Sequence, residues 1–239
     1  MYKHKILSIY RKIRLNPDPD IFTLMVVICV LSLTLSLYNT FQLRNNVPVS
    51  LTPQGTKILP IKDLIKNIKS TVPKMGNSDA KVVMVAFEDF QCPYCKRFHD
   101  ETFNKIKKEY VDTGKVLFVH ADLAFLGPES VNASLAGACA SEQGKFWEYR
   151  DVLYEKQVPD HNIGNFSGDK LKQIAKDLLL DTYSFNECYD SKKYANEVSS
   201  AREFAESYGI NSTPTFVING QMIKGARQFL EFSSIIDNI

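Results

Sequence analysis

Two cysteines stand three residues apart in Cys92-Pro93-Tyr94-Cys95, directly after an apolar run. Thiols at this spacing can exchange electrons with another dithiol, or they can supply half of a tetrahedral metal site. The metal reading needs two more ligands. His99 offers a third, but no second C-x-x-C and no H-x₃₋₅-H pair exists to finish a structural site. The redox reading needs only a sulfur that ionises easily, because the thiolate is the reacting species.

The elements around the motif favour that ionisation. Lys81–Phe87, KVVMVAF, is apolar, β-branched and of strand length, bounded upstream by Gly76-Asn77-Ser78-Asp79. After the motif, Tyr94, Phe98, Thr102, Ile106 and Tyr110 recur every four residues, widened by Phe103 and Val111, until Thr113-Gly114 stops a helix. Pro93 fits the first helical position, which makes Cys92 the N-cap. Its sulfur is then expected to accept from the N–H groups of Tyr94 and Cys95 and to face the positive end of the helix dipole. Lys96 and Arg97 are expected to add cationic field. A Cys92 pKa of about 5 would favour the reduced state at pH 7 by ~2.7 kcal/mol, equivalent to ~60 mV. Cys95, one turn inward, would be the resolving thiol, and His99 a surface or supporting group.

Near the C-terminus, Gly209-Ile210-Asn211-Ser212-Thr213-Pro214 precedes the run Thr215-Phe216-Val217-Ile218. Asn219-Gly220 then signals a type I′ hairpin into Gln221-Met222-Ile223. Strand, C-x-x-C at a helix start, and a distant Thr-Pro before a hairpin resemble the thioredoxin superfamily, and the details look more like its DsbA-like branch. The segments that carry this likeness are FEDFQCPYC (87–95), CASEQGKFWEYRDVLYEKQ (139–157), FNECYDSKKY (185–194) and GINSTPTFVING (209–220). It spans about residues 75–239 in a consistent order.

The resemblance implies an α/β thioredoxin fold with an inserted helical subdomain and a thiol:disulfide oxidoreductase acting outside the cytoplasm. On matching positions Cys92 would be the nucleophile and Cys95 its partner. Pro93 and Tyr94 would tune the potential, Pro214 would be a cis-proline facing the disulfide, and Thr213 would offer its backbone to a substrate strand. The chemistry uses no cofactor beyond the redox-active disulfide and no metal. Two positions depart from the pattern. The best-known oxidases of this branch have His where Tyr94 stands. Many thioredoxin-like proteins also carry an acid six positions before the first cysteine, where this chain has Ala86. Glu88 is the nearest carboxyl for moving the Cys95 proton, while Glu88 and Asp89 read equally as solvated residues of a strand-to-helix loop.

Between the half-folds, about residues 128–208, apolar spacing places helices through Val131, Leu135 and Cys139, through Phe146-Trp147 and Val152-Leu153, through Leu171, Ile174, Ala175 and Leu178, and through Tyr194, Val198, Ala201, Ala205 and Tyr208. Together they would cap the active-site face, with Trp147 in the core. Outside the cytoplasm two spare cysteines in one helical domain invite pairing, so a structural Cys139–Cys188 disulfide is expected, the alternative being two buried free thiols. His4, His120 and His161 are isolated and receive no role.

The N-terminal part differs in kind. Ile21–Tyr38 has no charge, Pro or Gly, and its apolar character fades past Leu43, which is long enough for a bilayer span. Lys3, Lys5, Arg11, Lys12 and Arg14 precede it and only Arg44 follows closely. The positive-inside bias therefore makes 1–20 a cytoplasmic tail, 21–43 one transmembrane anchor, 44–71 a tether with a possible short helix, and 72–239 the extracytoplasmic or periplasmic domain of a single-pass inner-membrane protein. A cleaved signal peptide is the competing reading of 21–43, but its apolar region is usually shorter and ends in small residues. Cys29 lies mid-span as a small apolar packing residue.

The chain has 239 residues, 44% hydrophobic and 23% charged, enough for one packed domain plus an appendage. Lys+Arg number 29 against 27 Asp+Glu, so no positive excess exists to hold a nucleic-acid backbone. The expected partners are reduced or unfolded exported polypeptides and a quinone-linked membrane oxidase that restores the disulfide. A reductase or isomerase would use the same site, whereas a holdase or a metal carrier on Cys92, Cys95 and His99 would not use thiol exchange at all.

Overall fold

The computed structural model describes Leu31–Ser32 and residues 72–239. The chain divides into two compact units, Met1–Ser50 and Leu51–Ile239. In the first, only Leu31 and Ser32 are described, both helical. The expected tail, anchor, Cys29 and tether otherwise lie outside the described residues. Among those residues, no helix is long and apolar enough to cross a membrane.

The domain is built on a five-stranded mixed sheet of order β1-β3-β2-β4-β5. Its strands are β1 (Lys74–Met75), β2 (Val82–Glu88), β3 (Val116–Asp122), β4 (Thr215–Ile218) and β5 (Gln221–Lys224). β2 runs parallel to β3, with Ala86 opposite His120 and Glu88 opposite Asp122, and antiparallel to β4. The β4–β5 turn is Asn219-Gly220, both at positive φ (44° and 95°), as a type I′ turn requires. This is the mixed α/β sheet of a thioredoxin-like fold.

β2 is buried on both faces, so its residues alternate between two cores rather than between core and water. Val82, Met84 and Ala86 pack with Phe98, Phe103, Ile106, Phe216 and Phe232, whereas Val85 and Phe87 pack with Val119, Ala205, Ile210 and Val217. The first face is covered by a helical rod and by α8 (Phe229–Ile236). That rod starts as α1 (Pro93–Phe98), passes through a π turn (His99–Phe103) and α2 (Asn104–Ile106), and ends in a second π turn (Lys107–Val111). An α-helix was expected throughout. A stripe that recurs every fourth residue drifts about 40° per step on a 3.6-residue helix, and wider turns return Phe103 and Tyr110 to the sheet. Tyr94, the first residue of the expected stripe, is instead exposed.

Between β3 and β4 lie α3 (Pro128–Glu142), α4 (Phe146–Lys156), α5 (Gly168–Asp177), α6 (Thr182–Asp190) and α7 (Ala195–Ser207). Helix α6 has no counterpart in the sequence reading. Asp181 caps it by accepting from the Ser184 N–H at 2.7 Å, and Phe185 and Cys188 are its buried pair. Val131, expected on the buried face of α3 with Leu135 and Cys139, is 36% exposed. Leu135 and Cys139 are buried as expected, and small residues such as Ser130, Ala133, Ala136, Gly137 and Ala140 make the rest of the buried face in place of Val131. Phe90, Cys92 and Cys95 belong to the same apolar cluster as these helices. Cys139 and Cys188 are bonded, 49 residues apart in sequence with Cα atoms 5.8 Å apart, tying α3 to α6 inside that cluster.

Candidate active site

Cys92 caps α1 with extended backbone angles, Pro93 fills the first helical position, and the N–H groups of Cys95 and Lys96 bond the Cys92 carbonyl at 3.0 and 3.1 Å. No cap bond of standard geometry forms at the Cys92 sulfur, although the Tyr94 and Cys95 N–H groups still act on it, and the sulfur also meets the loop before β4. Sγ donates to the Thr213 carbonyl at 3.3 Å, and the Thr213-Pro214 peptide is cis. The chain segments at Cys92 and Thr213 are 121 residues apart in sequence and meet because β2 and β4 are neighbours. Tyr94 is 55% exposed, with the Arg97 guanidinium 5.1 Å above its ring.

Cys92 and Cys95 are free thiols in this structure, both buried, and they ionise very differently. The Cys95 thiol donates toward Cys92 and lowers its pKa most. Burial opposes this, and the Thr213 hydroxyl and the N–H groups of Cys95 and Tyr94 add to the lowering, leaving Cys92 at about 6. Thr213 Oγ1 is buried and makes no hydrogen bond of standard geometry. Cys95 is pushed well above an ordinary thiol, first by complete burial, then by the sulfur of Cys92 and by the charge of Glu88. Lys96 and Arg97 point their charged groups at other partners. The Lys96 ammonium bonds the Tyr154 carbonyl and pairs with Asp100, and Arg97 bonds the Ala226 carbonyl.

Glu88 and Asp89 are fully buried, which overturns their reading as solvated loop residues. Asp89 accepts from Gln91 N, Ser130 Oγ, Phe125 N and Leu126 N at 2.7–3.1 Å, fastening the loop before Cys92 to the segment after β3 and to α3. Gln157 Nε2 donates to the Phe90 and Cys92 carbonyls. The N-capping loop is thus held by side chains from several elements, which is how backbone groups near the sulfur become fixed.

Glu88 lies under the site with its Oε2 shared by Arg150 Nη2 at 2.9 Å and His120 Nδ1 at 3.0 Å. Burial alone would raise its pKa, but the charge of Arg150 and the hydrogen bonds and charge of His120 hold the carboxyl ionised, at about 2. His120 is fully buried, and its Nε2 reaches Asp122 Oδ1 at 3.3 Å. Burial would lower its pKa, but hydrogen bonds and charges from Asp122 and Glu88 raise it. Arg150 is enclosed by the rings of Phe103, Tyr154 and Trp147 at 4.4–5.8 Å. A visible signal marked it: Phe146, Tyr149, Leu153 and Tyr154 form a helical apolar stripe, and Arg150 sits inside it. His120 had none, since a histidine in the apolar strand Val116–Asp122 shows nothing of its partners.

Among the described residues, no group of three His, Cys, Asp or Glu side chains could hold a metal ion. His99 is turned away from the cysteines to Asp100 and Asp151, at 2.9 and 3.0 Å.

The family model described as "Thioredoxin" matches residues 68–238. The disulfide bond formation protein D of Bacillus subtilis (strain 168) is 30% identical over 168 residues, covering 69% of this chain and 75% of that protein. The crystal structure of oxidised BdbD from Bacillus subtilis superposes with a TM-score of 0.66 at 29% identity, over 70% of this chain and 92% of that one. Alpha-DsbA1 of Wolbachia pipientis shares the fold, with a TM-score of 0.63 at 24% identity over 71% of this chain and 91% of that chain.

Proposed function

The chain belongs to the DsbA-like thiol:disulfide oxidoreductases of the thioredoxin family, and from that premise we propose that it is a membrane-tethered thiol oxidase that introduces disulfides into exported proteins. The observation that carries the reading is the split between the two thiols: at neutral pH Cys92 is largely thiolate and Cys95 is not. Cys92 is then the sulfur that a substrate thiolate attacks in the disulfide form and the one that leaves readily. The substrate–Cys92 mixed disulfide is resolved by a second substrate thiol, and both enzyme cysteines end reduced.

With Cys92 at about 6 rather than 9, the reduced form gains about 1.4 kcal/mol at pH 7, or ~30 mV toward the oxidising side. This is half of what a pKa of about 5 would supply, and it favours the oxidase direction over the reductase. Thr213, whose carbonyl meets the Cys92 sulfur, and Pro214 after it would receive the substrate strand, Pro93 and Tyr94 would tune the potential, and the Cys139–Cys188 bond would be structural. Residues 21–43 would anchor the chain, with 1–20 cytoplasmic, 44–71 the tether and 72–239 on the extracytoplasmic side. Reoxidation would come from a quinone-linked membrane partner, and no bound cofactor is needed.

The test is a glutathione-buffer titration of the full chain, scored by alkylation of Cys92. The expected potential is more oxidising than thioredoxin's, which is about −270 mV. A value near thioredoxin's overturns the oxidase direction, and full exchange activity in Cys92→Ser overturns thiol exchange itself.

A further inference from the structure

Cys95 has no exposed surface, so when the Cys92–Cys95 bond is reduced the departing sulfur has no direct contact with water from which to take a proton. Near it stands a chain of ionisable groups. The Asp89 N–H bonds the Cys95 sulfur, and the charge of Glu88, one residue earlier on the same strand end, acts on Cys95 and on Tyr154. From Glu88 the contacts run to His120 at 3.0 Å and on to Asp122 at 3.3 Å. Asp122, 18% exposed, lines a cavity of about 590 Å³ between β1, β3, α3 and α7. Among the described residues, Glu88 Oε1 is buried without a hydrogen-bond partner, as is the Tyr154 hydroxyl, although Glu88 Oε2 has two.

We propose that Glu88, His120 and Asp122 form the proton path of Cys95, with His120 as the group that holds the proton and the cavity beside β3 as its opening to water. The proposal rests on the thiol-exchange reading above and adds where its proton comes from. In the step concerned, a substrate thiolate attacks Cys92 Sγ and forms the mixed disulfide. The Cys92–Cys95 bond breaks, and its electron pair stays on Cys95 Sγ. The His120 imidazolium releases a proton through the Glu88 carboxyl to that thiolate, and the neutral imidazole takes up a proton from water through Asp122. The net change is one substrate thiolate and one proton consumed, one mixed disulfide and one Cys95 thiol formed.

The groups around His120 suit a store that refills near neutral pH. Glu88 on β2 and Asp122 on β3 grip its two ring nitrogens, and Arg150 on α4 shares the Glu88 oxygen. The rings of Phe90 and Phe146 pack at 5.5 and 5.0 Å and keep water from its faces. Across the cavity stand Lys74 of β1, Glu142 of α3 and Glu197 of α7.

The experiment is single-turnover reduction of the oxidised full chain by dithiothreitol from pH 5 to 9, in H₂O and D₂O, with rates corrected for the ionisation of the reagent. In the unmodified chain the corrected rate should be highest where His120 is protonated, fall as it deprotonates, and show a normal solvent isotope effect. His120→Gln should lower the low-pH rate about 10²-fold, the lower end of what general acid catalysis supplies, and flatten both the profile and the isotope effect. Asp122→Asn, at the partly exposed end, should keep the low-pH rate and move the inflection to lower pH, so a folding defect in His120→Gln does not decide the matter. Unchanged profiles in both variants, with normal exchange, overturn the proton path alone. Absence of exchange in the unmodified chain overturns the thiol-exchange reading and the path with it.

Discussion

Cys92 and Cys95 face each other across one helical turn, whereas Cys139 and Cys188 join two helices from positions 49 apart. All four are at most 5% exposed and belong to one apolar cluster, so burial does not separate the reactive pair from the bonded one. Polar groups do. The first pair has the start of α1, the Thr213 hydroxyl and the Glu88 charge, which push its two sulfurs apart in acidity. Near the second pair, Glu142 Oε1 is 4.0 Å from Cys188, and it is already held by Lys193 and Tyr194. A low-polarity setting raises the cost of any charge, so a few placed dipoles decide which sulfur can carry one.

The difference can be broken most severely from beneath the active pair. Arg150→Met leaves Glu88 as a buried carboxylate without its main counter-charge, and removing one partner of such a pair costs about 3–5 kcal/mol. Urea unfolding of the oxidised chain should show that loss, and thiol titration should show Glu88 no longer held so firmly ionised beside Cys95. A stability within about 1 kcal/mol of the parent would mean that the buried pair does not matter as argued.

Removing the other pair should act on stability alone. The double change Cys139→Ala and Cys188→Ala opens a loop of 49 residues and should cost up to ~4 kcal/mol by the chain-entropy model, less any strain relieved. The pH midpoint for alkylation of Cys92 should stay where it was. A shift of that midpoint would show that the insertion's bridge also sets the active sulfur.

The smallest effect is in pH. The Cys92 pKa is lowered on folding, so its contribution to the reduced form is fully present above the unfolded value of 9.0 and is lost as pH falls through about 6. Comparing unfolding of the reduced and oxidised chains should therefore show the reduced form gaining about 1.4 kcal/mol between pH 5 and pH 7 from this group. The bonded pair does not titrate and should add nothing over that range.

How far the site could be read in advance follows from how local each piece is. The motif 92–95, the helix that it opens and the Asn219-Gly220 hairpin are contiguous, and their turn and capping chemistry is written in neighbouring residues. The contact of the Cys92 sulfur with Thr213 is different. That a sulfur at a helix start also meets a loop 121 residues away depends on the β2–β4 pairing. Glu88 was ambiguous for the same reason, since nothing in FEDFQCPYC shows that Arg150, 62 residues on, and His120, 32 residues on, close over it.

From order and spacing alone came the reactive dipeptide frame, the strand before it, the helix after it and the family likeness. These depend on backbone conformations that adjacent side chains enforce. The fold alone decided that Glu88 is held ionised in the core, that His120 lies between two carboxylates, and how far burial and Glu88 push Cys95 away from the acidity of Cys92. Each of these is an energy of a charge among groups distant in sequence, and its sign is undefined until the chain brings them within a few ångströms.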